Sequence, residues 1–289
     1  MITAITPTGD RHLAFALCQR WMSQQTVKPG QWIVIDDGKI PMQPLMPMEY
    51  VRRNPGPKPL VLPNNPRLLS PRLRRQHTIA EVQRLKQPKG GWVSIYKNLQ
   101  AAIPLIRGDK ILFIEDDEYY APTYVETMCK LLDEHELVGI KYSRYYHLGS
   151  GGHKIFTSQA HASLAQTAFR SSFLPTFNAF LGHNICGEFL DVRLWTQSYS
   201  MPGRTIDRLT THCRGYLFFD EPPIYVGMKG MPGRGGYGVG HKTQIYRQYD
   251  DANRTLLRHW IPEDYKVYLD IISNKLTEAN CEPCFPCTI

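Results

Sequence analysis

Residues 110–120 read KILFIEDDEYY, a short apolar run that ends abruptly in four consecutive acids, Glu115, Asp116, Asp117 and Glu118. No other stretch constrains the fold as much. Four carboxylates at the end of a buried strand repel one another and are costly to desolvate unless a cation or a set of donors compensates them. Oxygen ligands of this kind suit a hard divalent cation, magnesium or manganese, and such ions commonly clamp the phosphates of a nucleotide. A solvated acidic turn fits the same eleven letters, so the rest of the chain has to decide.

The first half alternates short apolar runs with helical periodicity, the mark of a parallel α/β sheet. Residues 2–6 and 32–35 read as strands. Between them Asp10 stands where it can cap a helix whose Leu13, Leu17 and Trp21 share one face. Ile95, Leu99, Ala102, Ile103 and Ile106 mark another helix, which Pro104 should kink or shorten. Beyond the acids, Pro122 suits a first helical turn, with Val125, Met128 and Leu132 on a shared face. In an open α/β sheet the ligand crevice lies at the carboxyl ends of the strands. Polar residues collect there: Thr6, Pro7 and Thr8 after the first strand, Asp36 and Asp37 after the second, and the four acids after the later one.

The second half is less regular. Residues 178–195 hold an apolar segment and a polar loop, residues 205–214 suggest a short helix ended by Gly215, and residues 216–219 resemble a strand. Half of residues 227–240 are glycine, GMKGMPGRGGYGVG, which reads as a flexible linker or as a lid that orders on substrate binding. Lys229, Arg234, His241 and Lys242 favour the lid, since they offer positive charge to a diphosphate.

Charge is placed unevenly. The chain of 289 residues carries a net +8, yet residues 51–97 alone hold eleven Lys or Arg against one acid, Glu81. Such a field attracts a polyanion by releasing its counterions, and nucleic acid is the commonest polyanion in a cytoplasm. Arg52, Arg53, Arg72, Arg74, Arg75, Arg84 and Lys86 are the candidate contacts; a solvated, Pro- and Asn-rich surface insertion is the alternative. No apolar run approaches the length that spans a bilayer and no basic leader precedes the first strand, so a soluble cytoplasmic protein is expected. Cys18, Cys129, Cys186 and Cys213 lie in periodic segments and fit reduced thiols. Cys281, Cys284 and Cys287 form CEPCFPC, which could hold zinc with a fourth ligand from elsewhere, although a metal-free tail is favoured.

Taken in order, ITPT, WIVIDDG, YKNLQAA and ILFIEDDE with a following Pro resemble the nucleotide-binding half of a GT-A glycosyltransferase of the family 2 type. HNICGEFLDVRLW and IDRLTTHCRGYLFFDEPP resemble that family's acceptor-side segments. The resemblance implies a Rossmann-like, mixed and mainly parallel sheet flanked by helices, with a nucleotide-sugar-binding half over 1–130 that contains a basic insertion at 51–90. An acceptor half over 131–260 would carry a lid at 227–241, followed by a C-terminal helix and tail over 261–289. It also implies hexosyl transfer from a UDP-sugar with manganese or magnesium. Thr6, Pro7, Thr8 and Arg11 would contact the nucleotide together with Asn98, and Asp36 and Asp37 would read the uracil or ribose. Asp116 would approach the ribose or metal, Asp117 would be the principal ligand beside Glu115 and His241, and Asp207 would be the base of an inverting reaction. The family usually has an Arg ahead of the Asn; here Trp92 stands there, leaving Lys89 or Lys97 to substitute, and Ile206 precedes Asp207 where another acid is usual.

The chain also resembles compact bacteriophage glycosyltransferases that decorate their own DNA, which implies a hydroxymethylated pyrimidine as acceptor. Trp92, Tyr96, Tyr142, Tyr145 and Tyr146 are aromatics suited to stacking. Two alternatives stand beside it: a transferase acting on an envelope polysaccharide or lipid-linked sugar, and a non-catalytic nucleic-acid-binding protein.

Overall fold

The computed structural model describes residues 1–53, 90–157, 160–183, 190–196, 215–233 and 251–275. The chain opens with β1 (Ile2–Thr8), α1 (His12–Gln24), β2 (Gln31–Asp36) and β3 (Glu49–Arg52). Helix α2 (Gly90–Ala102) then leads through a tight turn (Ile103–Leu105) into β4 (Lys110–Phe113), β5 (Tyr119–Tyr120) and α3 (Tyr124–Leu131). Strands β6 (Leu137–Ile140), β7 (Tyr142–His147), β8 (His153–Thr157) and β9 (Thr167–Arg170) follow. The remaining described elements are α4 (Leu174–His183), α5 (Leu190–Thr196), β10 (Gly215–Phe218), β11 (Tyr225–Lys229), α6 (Thr255–Trp260) and α7 (Tyr265–Ile272).

Among the described residues seven strands form one sheet in the order β10-β6-β9-β4-β1-β2-β3. Strand β1 lies parallel between β2 and β4, and β3 extends the sheet parallel to β2. Strand β9 alone is reversed, antiparallel to both β4 and β6, while β10 pairs parallel with β6. The mixed, mainly parallel sheet is therefore the one expected. A smaller sheet, β5-β11-β7-β8, packs beside it.

Alternation along the central strands divides the core in two. Trp32, Val34 and Leu112 face one apolar cluster with Leu13, Leu17 and Trp21 of α1; Ile33, Ile35, Ile111 and Phe113 face a second with Leu99, Phe169, Phe177 and Trp195. Period-two strands covered by helices on both faces are how a parallel sheet buries itself. Trp195 sits over Gly139 and Gly215 on the paired strands β6 and β10, where an added Cβ would lie 2.5 and 2.4 Å from its ring. Its Nε1 donates to Thr167 Oγ1 at 3.0 Å, which satisfies the buried indole.

Most local expectations on the described residues were met, but Pro122 lies before α3, which starts at Tyr124 after its N-cap Thr123, and not in its first turn. Helix α2 stops at Ala102 and Pro104 occupies the tight turn that follows, because proline supplies no amide to continue the helix. Val125, Met128 and Leu132 are buried together around α3. Asp10, however, does not cap α1. The helix starts after Arg11 without a side-chain cap, and Asp10, at φ 53°, accepts the Lys39 amide at 2.7 Å. Tying the β1 and β2 loops together takes the carboxylate that the cap would have used. Cys18 and Cys129 are buried free thiols, as expected of reduced cysteines.

Candidate active site at the carboxyl edge of the sheet

Because β2, β1 and β4 are adjacent and parallel, their polar ends meet at one edge. Thr6, Pro7 and Thr8 are buried at the end of β1. Thr6 faces the core, accepting Trp32 Nε1 at 2.9 Å, whereas Thr8 Oγ1 donates to Asp116 Oδ2 at 2.6 Å. At the end of β2 the two aspartates diverge. Asp36 accepts the amides of Gly38 and Met42 at 2.7 and 3.0 Å, Arg52 Nη1 at 2.6 Å, and the Tyr50 hydroxyl. Asp37 pairs with Arg53 Nη2 at 3.1 Å, and Arg53 Nε donates to Asn98 Oδ1 of α2 at 2.7 Å. Gly38 has to be glycine, since a Cβ would lie 2.6 Å from the Asp10 amide nitrogen.

The acidic run forms the centre of the edge. Arg11 bridges two of its members, with Nη1 at 2.6 Å from Asp117 Oδ2 and Nη2 against Asp116 Oδ1. Glu118, 2% exposed, accepts Lys229 Nζ at 2.6 Å and the Met228 amide. One carboxylate oxygen each from Glu115, Asp117 and Glu118 lies within 4.8 Å of the others. Among the described residues four carboxylates thus face two cationic side chains, and the imbalance shows in their ionisation. Burial, together with Asp117 and Asp116, raises Glu115 to about 7 against the pull of Lys229 and Arg11. Lys229 is held charged: burial alone would lower it, but Glu118, Asp117 and Tyr145 raise it well above its ordinary value. An all-oxygen set with unneutralised charge suits a hard divalent cation, and the residues present fit one.

The edge thus gathers Thr8, Arg11, Glu115, Asp116 and Asp117, with Asp36, Asp37 and Asn98 beside them. Lys97 is exposed on α2. Arg52 and Arg53 are committed to Asp36 and Asp37. Lys89, Arg72, Arg74, Arg75, Arg84, Lys86, Asp207, His241 and the tail cysteines lie outside the described residues. Sequence reasoning did not assign Glu118 as a ligand or Lys229 as its partner. The signal was there: Tyr225–Met228 is an apolar run ending in lysine, a strand obscured by reading the glycine-rich segment from Gly227 as one unit. Of the stacking candidates, Tyr96 and Tyr146 are core residues, and Tyr142 and Tyr145 are partly exposed. A separate cleft of about 440 Å³ near Asp109, Lys110 and Arg170 opens at the amino end of β4, and its basic groups are already bonded to main-chain carbonyls and Asp133.

No family model matches the chain, and no curated protein matches it. Among solved structures, residues 1–349 of S. aureus TarS in complex with UDP-GlcNAc are 13% identical, with a TM-score of 0.45, over 98% of this chain and 68% of that one. The mannosyltransferase PcManGT from Pyrobaculum calidifontis, in complex with GDP-Man and Mn2+, is 12% identical, with a TM-score of 0.46, over 96% and 70%. A longer S. aureus TarS structure aligns over 78% of this chain at 11% identity and a TM-score of 0.40, and the alignment spans 36% of that protein. Among the described residues no helix is long and apolar enough to cross a membrane.

Proposed function

We propose that this chain is a metal-dependent, inverting glycosyltransferase that moves a sugar from a UDP-type donor to a hydroxyl acceptor, a 5-hydroxymethylpyrimidine in DNA. The buried acidic cluster carries the reading: Glu115, Asp117 and Glu118 converge with more negative charge than Arg11 and Lys229 neutralise. Stability alone gives no reason to bury such an excess, whereas a nucleotide diphosphate brought in with manganese or magnesium needs one. Held there, the cation supplies Lewis-acid charge to the departing diphosphate.

The remaining roles belong to the chain. Arg11 and Thr8 hold Asp116 and Asp117 in place, and the pocket of Asp37, Arg53 and Asn98 receives the nucleoside. Asp207 takes the proton of the acceptor hydroxyl as its oxygen bonds to the anomeric carbon. The bond from that carbon to the diphosphate breaks on the opposite face, leaving its electron pair on phosphate oxygen. His241 adds a metal or diphosphate contact, and the part of the glycine-rich segment that follows β11 excludes water. The basic segment and the resemblance to compact bacteriophage glycosyltransferases favour DNA as acceptor.

Incubation with UDP-sugars, manganese and either hydroxymethylated or unmodified DNA, followed by mass analysis of the nucleosides, tests this. A hexose is expected on the hydroxymethylated base alone, and Asp117→Ala should reduce it by about a hundredfold or more. Salt-dependent DNA binding without donor turnover would leave the non-catalytic reading instead.

A further inference from the structure

The registers extend the site laterally. Through β4, β9, β6 and β10, Ile111 is level with Phe169, Leu137 and Gly215, so residues four positions later in the parallel strands are level as well. Glu115, Lys141 and Phe219 therefore follow the carboxyl ends of β4, β6 and β10 along one edge, the β10 end being three strand spacings, about 14 Å, from the β4 end. The Asp37–Arg53 pair, proposed above to receive the nucleoside, lies on the other side of the acidic cluster, at the ends of β2 and β3. A donor reaching from there to the acids leaves the β6 and β10 end for whatever accepts the sugar.

Aromatic and cationic side chains alternate at that end. Phe219 is 55% exposed. Lys141 Nζ lies 4.6 Å from its ring centre and Tyr142 lies 4.8 Å away, with Arg144 in turn 5.5 Å from Tyr142. A second series starts at the acids themselves: Lys229, bonded to Glu118, is 5.1 Å from the Tyr145 ring, which meets Phe156 at 5.6 Å, and Lys154 covers Phe156 at 4.5 Å. The two acids that follow Phe219 are already paired, since Arg144 binds both Asp220 and Glu221. Of these rings Phe219 is the exposed one, and with the partly exposed Tyr142 and Lys141 beside it, it offers an aromatic face next to positive charge, which suits a base joined to phosphates.

We propose that Phe219, with Tyr142 and Lys141, is a stacking platform that holds an unpaired base of a nucleic-acid acceptor beside the transfer site. The assignment of the platform to the acceptor rests on the glycosyltransferase reading above; the nucleic-acid contact does not. The test is fluorescence anisotropy of a labelled single-stranded oligodeoxynucleotide with the full chain, its Phe219→Ala and Phe219→Trp variants, and a base-free polyphosphate competitor. UDP with Mn2+ is titrated calorimetrically in parallel.

Stacking on one ring contributes about fivefold to a hundredfold in affinity, so Phe219→Ala should weaken oligonucleotide binding by about tenfold while Phe219→Trp retains it. Polyphosphate affinity and UDP–Mn2+ binding should be the same in all three proteins. The platform is overturned if the wild-type chain does not bind the oligonucleotide, if Phe219→Ala binds it equally well, or if polyphosphate affinity falls in step. A neutral oligosaccharide that competes only when Phe219 is present would overturn it in favour of a glycan. Loss of UDP–Mn2+ binding in the wild-type chain would count against the donor reading while the oligonucleotide comparison still judged the platform.

Discussion

Asp36 and Asp37 are neighbours in sequence, read alike as donor contacts, and sit in unlike surroundings. Burial works to raise Asp36, yet the Tyr50 hydroxyl, two amides and Arg52 donate to it and hold it below its ordinary value of 3.8. A carboxylate depressed in the folded state stabilises above its unfolded value, and that contribution is lost as pH falls through the folded one. Asp36→Asn should cost about 3 kcal/mol in urea unfolding at neutral pH and flatten the acid-side loss of stability; an unchanged acid limb would show that Asp36 does not couple to folding. Lys229 makes the complementary case. Removing it strands Glu118 among buried acids, so Lys229→Met should lose about 3 kcal/mol without metal and gain more melting temperature from Mn2+ than the wild-type protein does. Equal Mn2+ gains in both proteins would mean that Lys229 and the cation do not share one charge balance.

Elements carry constraints that single residues do not. Helix α5 is seated on the sheet through Trp195, and its seat exists because β6 and β10 place Gly139 and Gly215 diagonally on adjacent strands, two register positions apart, without side chains. Gly139→Ala drives a methyl into the indole and the Ala162 Cβ, 2.6 Å away, and should cost about 1–3 kcal/mol in chemical denaturation. A neutral outcome would mean that α5 shifts freely. In the sequence Gly139 was unremarkable and Gly215 read as the end of a helix, whereas it opens β10; the pairing of β6 with β10 joins segments far apart in the chain. Strand β11 was obscured for a related reason. Its apolar side chains are local, but the partners that make Tyr225–Lys229 a strand, β5 against Tyr225 and Val226 and β7 against Gly227 to Lys229, are recruited from distant segments.

For the whole molecule, metal and nucleotide should act as folding ligands. With free ligand at a hundred times its dissociation constant, stability should rise by about 2.7 kcal/mol, visible as a higher melting temperature that a chelator reverses. Asp117→Ala should abolish the Mn2+ increment, and an increment that survives it would move the cation elsewhere. The sequence alone determined the alternation of strand and helix, the buried faces of α1 and α3, and the collection of polar residues at strand ends, because period and punctuation are local properties of a chain. It also singled out the acids. Which acids converge, that Arg11 and Lys229 are their counter-charges, and that Arg52 and Arg53 turn to Asp36 and Asp37 were decided by tertiary structure alone. Those relations depend on strand order and register, and strand order is set by the joint burial of both faces of the sheet rather than by any one segment's own preference.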